Sequence, residues 1–303
     1  MTERHGSDRL RASGSWRAQL EAAPLRVLWT LARILPRRFA ARLSGALFAA
    51  VGPLTRKHGH VKRNLAFVKP AASPTELDRL ARAVWRNLGH VFAEFPHLDA
   101  IVAEDLRVEI APETAALLDA GDPILILTAH LGNWEVLGAW LAHHGPPLTA
   151  VYDRNENPIL ERIIQRYRHA DRIRFTDKES SLKQLLTSAR ERRSIALLQD
   201  TRVDTGVMIP LFGTPAATTI SPAKIARRFG YPLVPVEVVR EPGQRFLVRF
   251  HAPLVEPAGL DERTAAIELT SQYHRLLERW IGAHPGSWLC TKRRWPKTAS
   301  LPG

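Results

Sequence analysis

The stretch Ile124–Leu141, ILILTAHLGNWEVLGAWL, decides how the rest of the chain is organised. Its first four residues are apolar on both faces, which is typical of a strand buried on both sides in a parallel α/β sheet. Asn133 is a good N-cap, and apolar residues recur after it at helical spacing, so a helix should begin near Trp134. His130 therefore lies at the carboxyl end of the strand, and Glu135 lies beside the crevice where open α/β folds bind ligands.

His130 and Glu135 form a candidate catalytic pair. A carboxylate that accepts from one imidazole nitrogen fixes the tautomer, while the other nitrogen takes a proton from a substrate hydroxyl. Both residues also have structural explanations. A strand-end histidine can cap backbone groups, and the helix dipole alone favours an acidic residue in a first turn. The pair by itself is therefore a weak indication of catalysis.

The composition is that of an ordinary globular protein, with 303 residues of which 45% are apolar and 24% are charged. No linker divides the chain, so we predict a single α/β domain whose central sheet is mostly parallel and flanked by helices. The net charge of +13 favours anionic partners in general. Nucleic acid is the poorer choice, because the basic residues are dispersed and no nucleic-acid-binding motif accompanies them.

Several further motif-like stretches occur before and after the segment HLGNWE at His130–Glu135. They are KRNL at Lys62–Leu65, WRNLG at Trp85–Gly89 with Glu94, YDRNENP at Tyr152–Pro158, LQD at Leu198–Asp200, IPLFGTPA at Ile209–Ala216, HPGSW at His284–Trp288 and RRWPK at Arg293–Lys297. This series resembles the lysophospholipid acyltransferase superfamily in its lipid A lauroyl/myristoyl acyltransferase branch, over about residues 60 to 297. The ordered matches favour catalysis over packing for His130 and Glu135.

The resemblance implies a glycerolipid acyltransferase-like fold and a reaction. A fatty acyl group would pass from an acyl thioester, on acyl carrier protein or coenzyme A, to a hydroxyl of a lipid A precursor or related glycolipid. His130 would be the general base, oriented by Glu135. Substrate-binding positions are expected at Asn133, Trp134, Arg154, Asp200, Phe212, Gly213 and Thr219. Two of these keep structural explanations, because Arg154 could form a surface salt bridge and Asp200, at the end of a predicted strand over residues 194–199, could cap a loop.

Two departures from the family pattern concern the substrates. Asp200 is followed by Thr201 where the family usually has DQ, and the segment Trp288–Lys292 reads WLCTK where the family usually has WxWxH. Neither change affects His130 or Glu135. Both fall where donor or acceptor binding is implied, so the reaction type is better indicated than the substrates.

The chain before residue 61 divides into two segments. Residues 1–22 are polar and aperiodic, which predicts a mobile tail. Residues 23–60 contain apolar stretches interrupted by arginines, and none is as long as the ~20 residues that span a bilayer. We predict an amphipathic segment that lies on an anionic membrane surface, with two ordinary core helices as the alternative. Residues 61–303 would then form the acyltransferase domain, peripheral or monotopic at the cytoplasmic face of a bacterial inner membrane.

Motifs of other enzyme classes do not occur. The chain lacks the nucleophile elbow GxSxG, the dinucleotide motif GxGxxG, the phosphate loop GxxxxGK[ST] and the zinc helix HExxH. His143 and His144 are adjacent and point to different helix faces, so we predict no metal site and no cofactor. The remaining alternatives are the same chemistry on a lysophospholipid or phosphatidylinositol-glycoside acceptor, and a non-catalytic protein that binds anionic membranes.

Overall fold

The computed structural model describes residues 16–169, 171–177 and 181–301. The helices of four or more residues are α1 Trp16–Ile34, α2 Arg37–Val51, α3 Lys57–Val68, α4 Pro74–Glu94, α5 Leu98–Glu104, α6 Pro112–Asp119, α7 Trp134–His144, α8 Pro158–Tyr167, α9 Ser181–Arg190, α10 Ser221–Phe229 and α11 Glu262–Ala283. The strands are β1 Leu106–Ile110, β2 Leu125–Thr128, β3 Leu148–Tyr152, β4 Ile173–Asp177, β5 Ser194–Leu198, β6 Val207–Leu211, β7 Thr214–Thr218, β8 Leu233–Glu241 and β9 Arg245–Phe250.

A seven-stranded sheet in the order β1-β9-β8-β2-β5-β3-β4 forms the centre of the domain. Its neighbouring strands are parallel except for the antiparallel pair β8 and β9. The residues of β2 are all buried, because strands and helices cover it on every side. The predicted single α/β domain with a mostly parallel sheet flanked by helices is therefore confirmed.

Two helix starts follow from capping chemistry. The Ser73 hydroxyl accepts from the backbone N–H of Glu76 at 3.2 Å, and Pro74 occupies the first position of α4, where a missing N–H has no cost. Asn133 accepts from the backbone N–H of Glu135 at 3.2 Å and begins α7 at the predicted place. The second cap fixes the turn between β2 and α7.

The helical chain begins earlier than the sequence predicts. Residues 16–22, expected to belong to a tail, form the first turns of α1, and residues 1–15 lie outside the described residues. The Asn157 amide donates to the Ala18 carbonyl at 3.0 Å and to the Glu21 carboxylate at 2.9 Å, which ties α1 to the start of α8. Among the helices described, none has the length and apolar character that crossing a membrane requires.

Candidate active site

The carboxyl ends of β2 and β5 bring His130 and Asp200 together. Thr128 and Leu198 are register partners in these neighbouring parallel strands, and each is followed two residues later by a member of the pair. Nδ1 of His130 lies 2.8 Å from Oδ1 of Asp200, the distance of a charge-assisted hydrogen bond. With Nδ1–H donating to the carboxylate, Nε2 is left as the acceptor of the ring.

Electrostatics stabilise the charged form of both groups. Burial lowers the pKa of His130, but the charge and hydrogen bond of Asp200, helped by the charge of Glu135, outweigh it and raise that pKa above its usual value of 6.5. Burial raises the pKa of Asp200, yet the opposite charge of His130 and the hydrogen bonds that its carboxylate accepts bring that pKa below its usual range. Asp200 is therefore ionised and ready to stabilise an imidazolium.

The segment that follows α11 holds this pair in place. The indole N–H of Trp288, a residue only 1% exposed, donates to Oδ2 of Asp200 at 2.8 Å. The backbone N–H of Leu289 donates to the His130 carbonyl at 2.8 Å, and that of Gly132 donates to the Ser287 carbonyl at 3.1 Å. Because both catalytic candidates are fixed from this side, the carboxyl-terminal motif of the sequence is part of the site.

Glu135 does not make the hydrogen bond to His130 that the sequence predicts, because Asp200 occupies that position. The Glu135 carboxylate instead accepts from Nε of Arg168 at 2.9 Å, from a second nitrogen of Arg168, and from the Trp134 indole at 3.0 Å. Glu135 is buried, and a buried carboxylate is stable only when an opposite charge or several donors face it. Its effect on His130 is therefore a longer-range charge rather than a contact.

Asn133 lies beneath the site instead of lining it. It is fully buried, and its amide donates to Glu94 at 2.9 Å. Glu94 in turn accepts two hydrogen bonds from the guanidinium of Arg240, and this pairing lowers the pKa of Glu94 although burial alone would raise it. The Asn133 side chain therefore supports the turn that carries His130, and the substrate contact predicted for it stays a prediction.

A cavity of about 780 Å³ extends from His130 beneath α7 and along the sheet. It reaches from Leu148 to Tyr152, the whole of β3, which corresponds to roughly 13 Å at about 3.3 Å per residue. Much of its wall is apolar and includes Leu137, Leu141, Leu148, Ala150, Ile173 and Phe175. Its volume lies in the range of about 300 to 1,000 Å³ that is typical of ligand pockets.

Three other residues that were predicted to bind substrate have different positions relative to this cavity. Trp134 lines it, and its ring meets the His130 ring edge-on with centroids 5.1 Å apart. Thr219 also lines the cavity. Arg154 is exposed just beyond β3 and does not line the cavity, although its neighbours Tyr152 and Asp153 do.

Phe212 and Gly213 do not line this cavity, and the substrate contact predicted for them stays a prediction. They form the two-residue turn of the antiparallel hairpin of β6 and β7, with φ of 49° and 70° respectively. Such positive φ values at both positions are the signature of a tight hairpin turn. The Phe212 backbone N–H donates to the Glu278 carboxylate of α11, so this amide binds the fold and not a ligand.

A histidine–carboxylate pair beside an apolar cavity provides a candidate general base next to room for an apolar substrate. Residues 6–297 match the profile of the bacterial lipid A biosynthesis acyltransferase family, and the chain belongs to that family. It is thus an O-acyltransferase, with an acyl donor and a lipid acceptor. The predicted family and enzyme class are confirmed, and the alternative of a non-catalytic membrane-binding protein is not supported.

Curated relatives carry the same activity class in their names. The chain is similar to the phosphatidylinositol mannoside acyltransferase of Mycolicibacterium smegmatis (strain ATCC 700084 / mc(2)155), with 27% identity over 283 residues and 88% of each chain covered. It is equally similar to the phosphatidylinositol mannoside acyltransferase of Mycobacterium tuberculosis (strain ATCC 25618 / H37Rv), with 27% identity over 290 residues, 88% of this chain and 86% of the relative.

Proposed function

We propose that this enzyme transfers a fatty acyl group from acyl carrier protein or acyl-CoA to a hydroxyl of a glycolipid, with His130 as the general base and Asp200 as its partner. The observation that carries the proposal is the 2.8 Å contact between His130 and the buried Asp200 at the wall of an apolar cavity. The acceptor is a lipid A precursor or a phosphatidylinositol glycoside. The family profile supports the first, and the names of the relatives support the second.

The proposed reaction needs one base and no covalent enzyme intermediate. His130 Nε2 takes the proton of the acceptor hydroxyl as its oxygen attacks the thioester carbonyl. Asp200 stabilises the imidazolium that forms. Collapse of the tetrahedral intermediate breaks the carbon–sulfur bond, and the imidazolium returns the proton to the leaving thiolate. The products are an ester and a free thiol, and Glu135 assists through its charge.

The apolar part of the cavity is proposed to hold the acyl chain. Gly138 of α7 lines it, and a Cβ atom at this position would meet nothing within 4 Å. The space that such a side chain would occupy is therefore open to the acyl chain.

The variant Gly138→Leu is expected to shift the donor preference toward shorter chains, because the added side chain fills part of the cavity. Competition between donors of several chain lengths, with products measured by mass spectrometry, gives the preference. Gly282→Leu is the matched control, since Gly282 is also helical and also has open space at its Cβ but does not line the cavity. An unchanged preference in Gly138→Leu would place the chain elsewhere.

The outer faces of α1 and α2 are proposed to bind an anionic membrane. Exposed apolar residues recur there at helical spacing, among them Leu20, Val27, Ile34, Phe39, Leu43 and Leu47. Arg26, Arg33 and Arg42 are exposed between them. Apolar side chains that enter the acyl boundary and arginines that meet phosphates are the two components of interfacial binding. With a cytoplasmic thioester donor, we place the enzyme peripherally at the cytoplasmic face of a bacterial inner membrane.

Replacing Ile34, at the end of α1, and Leu54, just after α2, together by serine is expected to weaken vesicle binding at least tenfold. These residues are 74% and 83% exposed, and full insertion of each side chain contributes about 1.5–3 kcal/mol. Flotation with anionic phospholipid vesicles measures the effect. Val255→Ser, at an apolar residue 75% exposed elsewhere, is the matched control. Equal binding by all three proteins would contradict the assignment of this surface.

The acceptor is tested with purified enzyme, acyl carrier protein or coenzyme A thioesters, and two acceptor panels. One panel holds acyl-deficient lipid A precursors and the other phosphatidylinositol mannosides, and a lysophospholipid is assayed beside them. A product heavier by one acyl group identifies acceptor, donor and chain length together. Acylation of a lysophospholipid alone would overturn the glycolipid acceptor and leave the mechanism unchanged. No acylation in any combination would overturn the proposed function.

A further inference from the structure

A second cluster of functional side chains lies outside the active site. Asp99 belongs to α5, His143 lies in the last turn of α7, and His169 follows α8. Nε2 of His143 lies 3.0 Å from Oδ1 of Asp99, and Nε2 of His169 lies 2.9 Å from the same oxygen. One ligand atom from each residue falls within 4.8 Å of the others. These three residues lie far apart in the sequence. The adjacent residues His143 and His144 therefore gave no indication of the cluster.

We propose that Asp99, His143 and His169 bind a divalent transition metal, and that Zn²⁺ is the ion they fit best. Imidazole nitrogens favour zinc over magnesium and calcium, and two imidazoles with one carboxylate are an established zinc ligand set. The proposal does not rest on the acyl-transfer reaction, because neither histidine lines the cavity.

The two nitrogen–oxygen distances need only a small adjustment to accept the ion, and the two imidazole nitrogens lie within 4.8 Å of each other. Tetrahedral bonds of about 2.1 Å put neighbouring ligand atoms about 3.4 Å apart. The two nitrogen–oxygen distances of 3.0 and 2.9 Å must therefore widen by about half an ångström. The Asp99 side chain is 66% exposed, so water can reach the fourth position.

A hydrogen-bonded trio is the competing explanation. In that arrangement both Nε2 atoms carry protons and donate to Asp99, whereas zinc replaces both protons and makes each nitrogen a ligand. The two explanations differ in measurable ways. A metal site binds one ion per chain and gains thermal stability from it, whereas a hydrogen-bonded trio does neither.

Bound zinc would join three elements at one end of the cavity. Leu98 and Arg168, which precede Asp99 and His169 in the chain, both line the cavity. Because Asp99 and His169 follow these two residues directly, their bonds to the metal would hold this wall of the cavity in position. We therefore expect zinc to raise the thermal midpoint of the whole domain.

The test uses the full-length chain without an affinity tag and Zn²⁺ alone as the probe. Titration against a chromophoric chelator is expected to give one zinc ion per chain, and Co²⁺ substitution is expected to give the visible absorption of a four-coordinate site. His143→Gln and His169→Gln should each weaken zinc binding at least tenfold. His144→Gln is the matched control and should stay within twofold, because His144 neighbours His143 but is not part of the cluster.

Thermal unfolding distinguishes a variant that has lost the zinc site from a variant that has lost its fold. Without zinc, His143→Gln and His144→Gln should unfold at similar temperatures, and zinc should raise the midpoint only in the wild type and in His144→Gln. Zinc binding that fails to reach one ion per chain would overturn the proposal. Binding that is equally strong in His143→Gln and His169→Gln would also overturn it, and the trio would then be a set of hydrogen bonds.

Discussion

Replacing His130 by alanine is expected to lower acyl transfer about 10²- to 10⁴-fold, the usual contribution of a positioned general base. The physical reason is that no other described side chain both contacts Asp200 through an imidazole and lines the cavity. The fold should survive with a lower thermal midpoint: the His130 side chain is 27% exposed at a cavity wall, and Asp200 keeps the hydrogen bond from Trp288 but loses its opposite charge. Initial rates with saturating donor, together with a thermal unfolding curve, measure both expectations.

The control for this experiment is His144→Ala, which removes an imidazole from the end of α7 outside the cavity. It should leave turnover unchanged. Near-normal turnover in His130→Ala would contradict the assigned base, and a collapsed unfolding transition would show that the residue is needed for folding instead.

The second large effect is expected for Asp200→Asn, which keeps the shape of the side chain and removes its charge. An amide cannot stabilise the imidazolium, and it can present its NH₂ group to Nδ1 and so favour the wrong tautomer. We expect a loss of turnover of about 10²-fold or more, since the same change in a Ser-His-Asp triad costs about 10⁴. Turnover with saturating substrates measures this, because the loss should appear in kcat more than in KM.

Glu135→Gln is the informative comparison for Asp200→Asn. This variant leaves the guanidinium of Arg168 without its carboxylate, in a place where the Arg168 side chain is only 20% exposed. We expect a lower thermal midpoint, because an uncompensated buried charge is costly. Turnover per folded molecule should fall less than in Asp200→Asn, since Glu135 does not contact the imidazole.

The sequence contained both members of the proposed catalytic pair but did not reveal their contact. His130 and Asp200 each end a run of apolar residues, so their positions at strand ends could be predicted. Their proximity depends on the crossover that places β5 directly beside β2, and strand order is not visible in an apolar pattern. Glu135 was the natural partner by spacing, yet its own partner Arg168 lies 33 residues further along the chain.

The elements that the sequence did not reveal share a physical cause. β1, with the sequence LRVEI, and β4, with the sequence IRFTD, lie at the two edges of the sheet. Edge strands carry charged residues and lack the continuous apolar run of a central strand, so they resemble loops in the sequence. The central strands β2 and β5 contain such apolar runs and were predictable for the opposite reason.

The hydrogen bonds that support the turn carrying His130 could not be predicted from residue spacing either. The early motif around Asn87 and Glu94 resembled the family without an evident task. In the structure the Asn87 amide donates to the Gly132 carbonyl at 2.8 Å and its oxygen accepts from Arg240 at 2.9 Å. These contacts join α4, β8 and the turn that carries His130. The motif therefore supports the position of the proposed base through hydrogen bonds between distant segments.

The pH dependence of kcat/KM in wild type and Asp200→Asn tests the central claim most directly. A general base acts when it is neutral, so the wild-type rate should rise with pH through the raised pKa of His130, above 6.5. Removal of the Asp200 charge removes the largest of the effects that raise this pKa, so the inflection should move to lower pH while the plateau falls. An inflection and plateau unchanged in Asp200→Asn, with both displaced in Glu135→Gln, would contradict the pairing of His130 with Asp200.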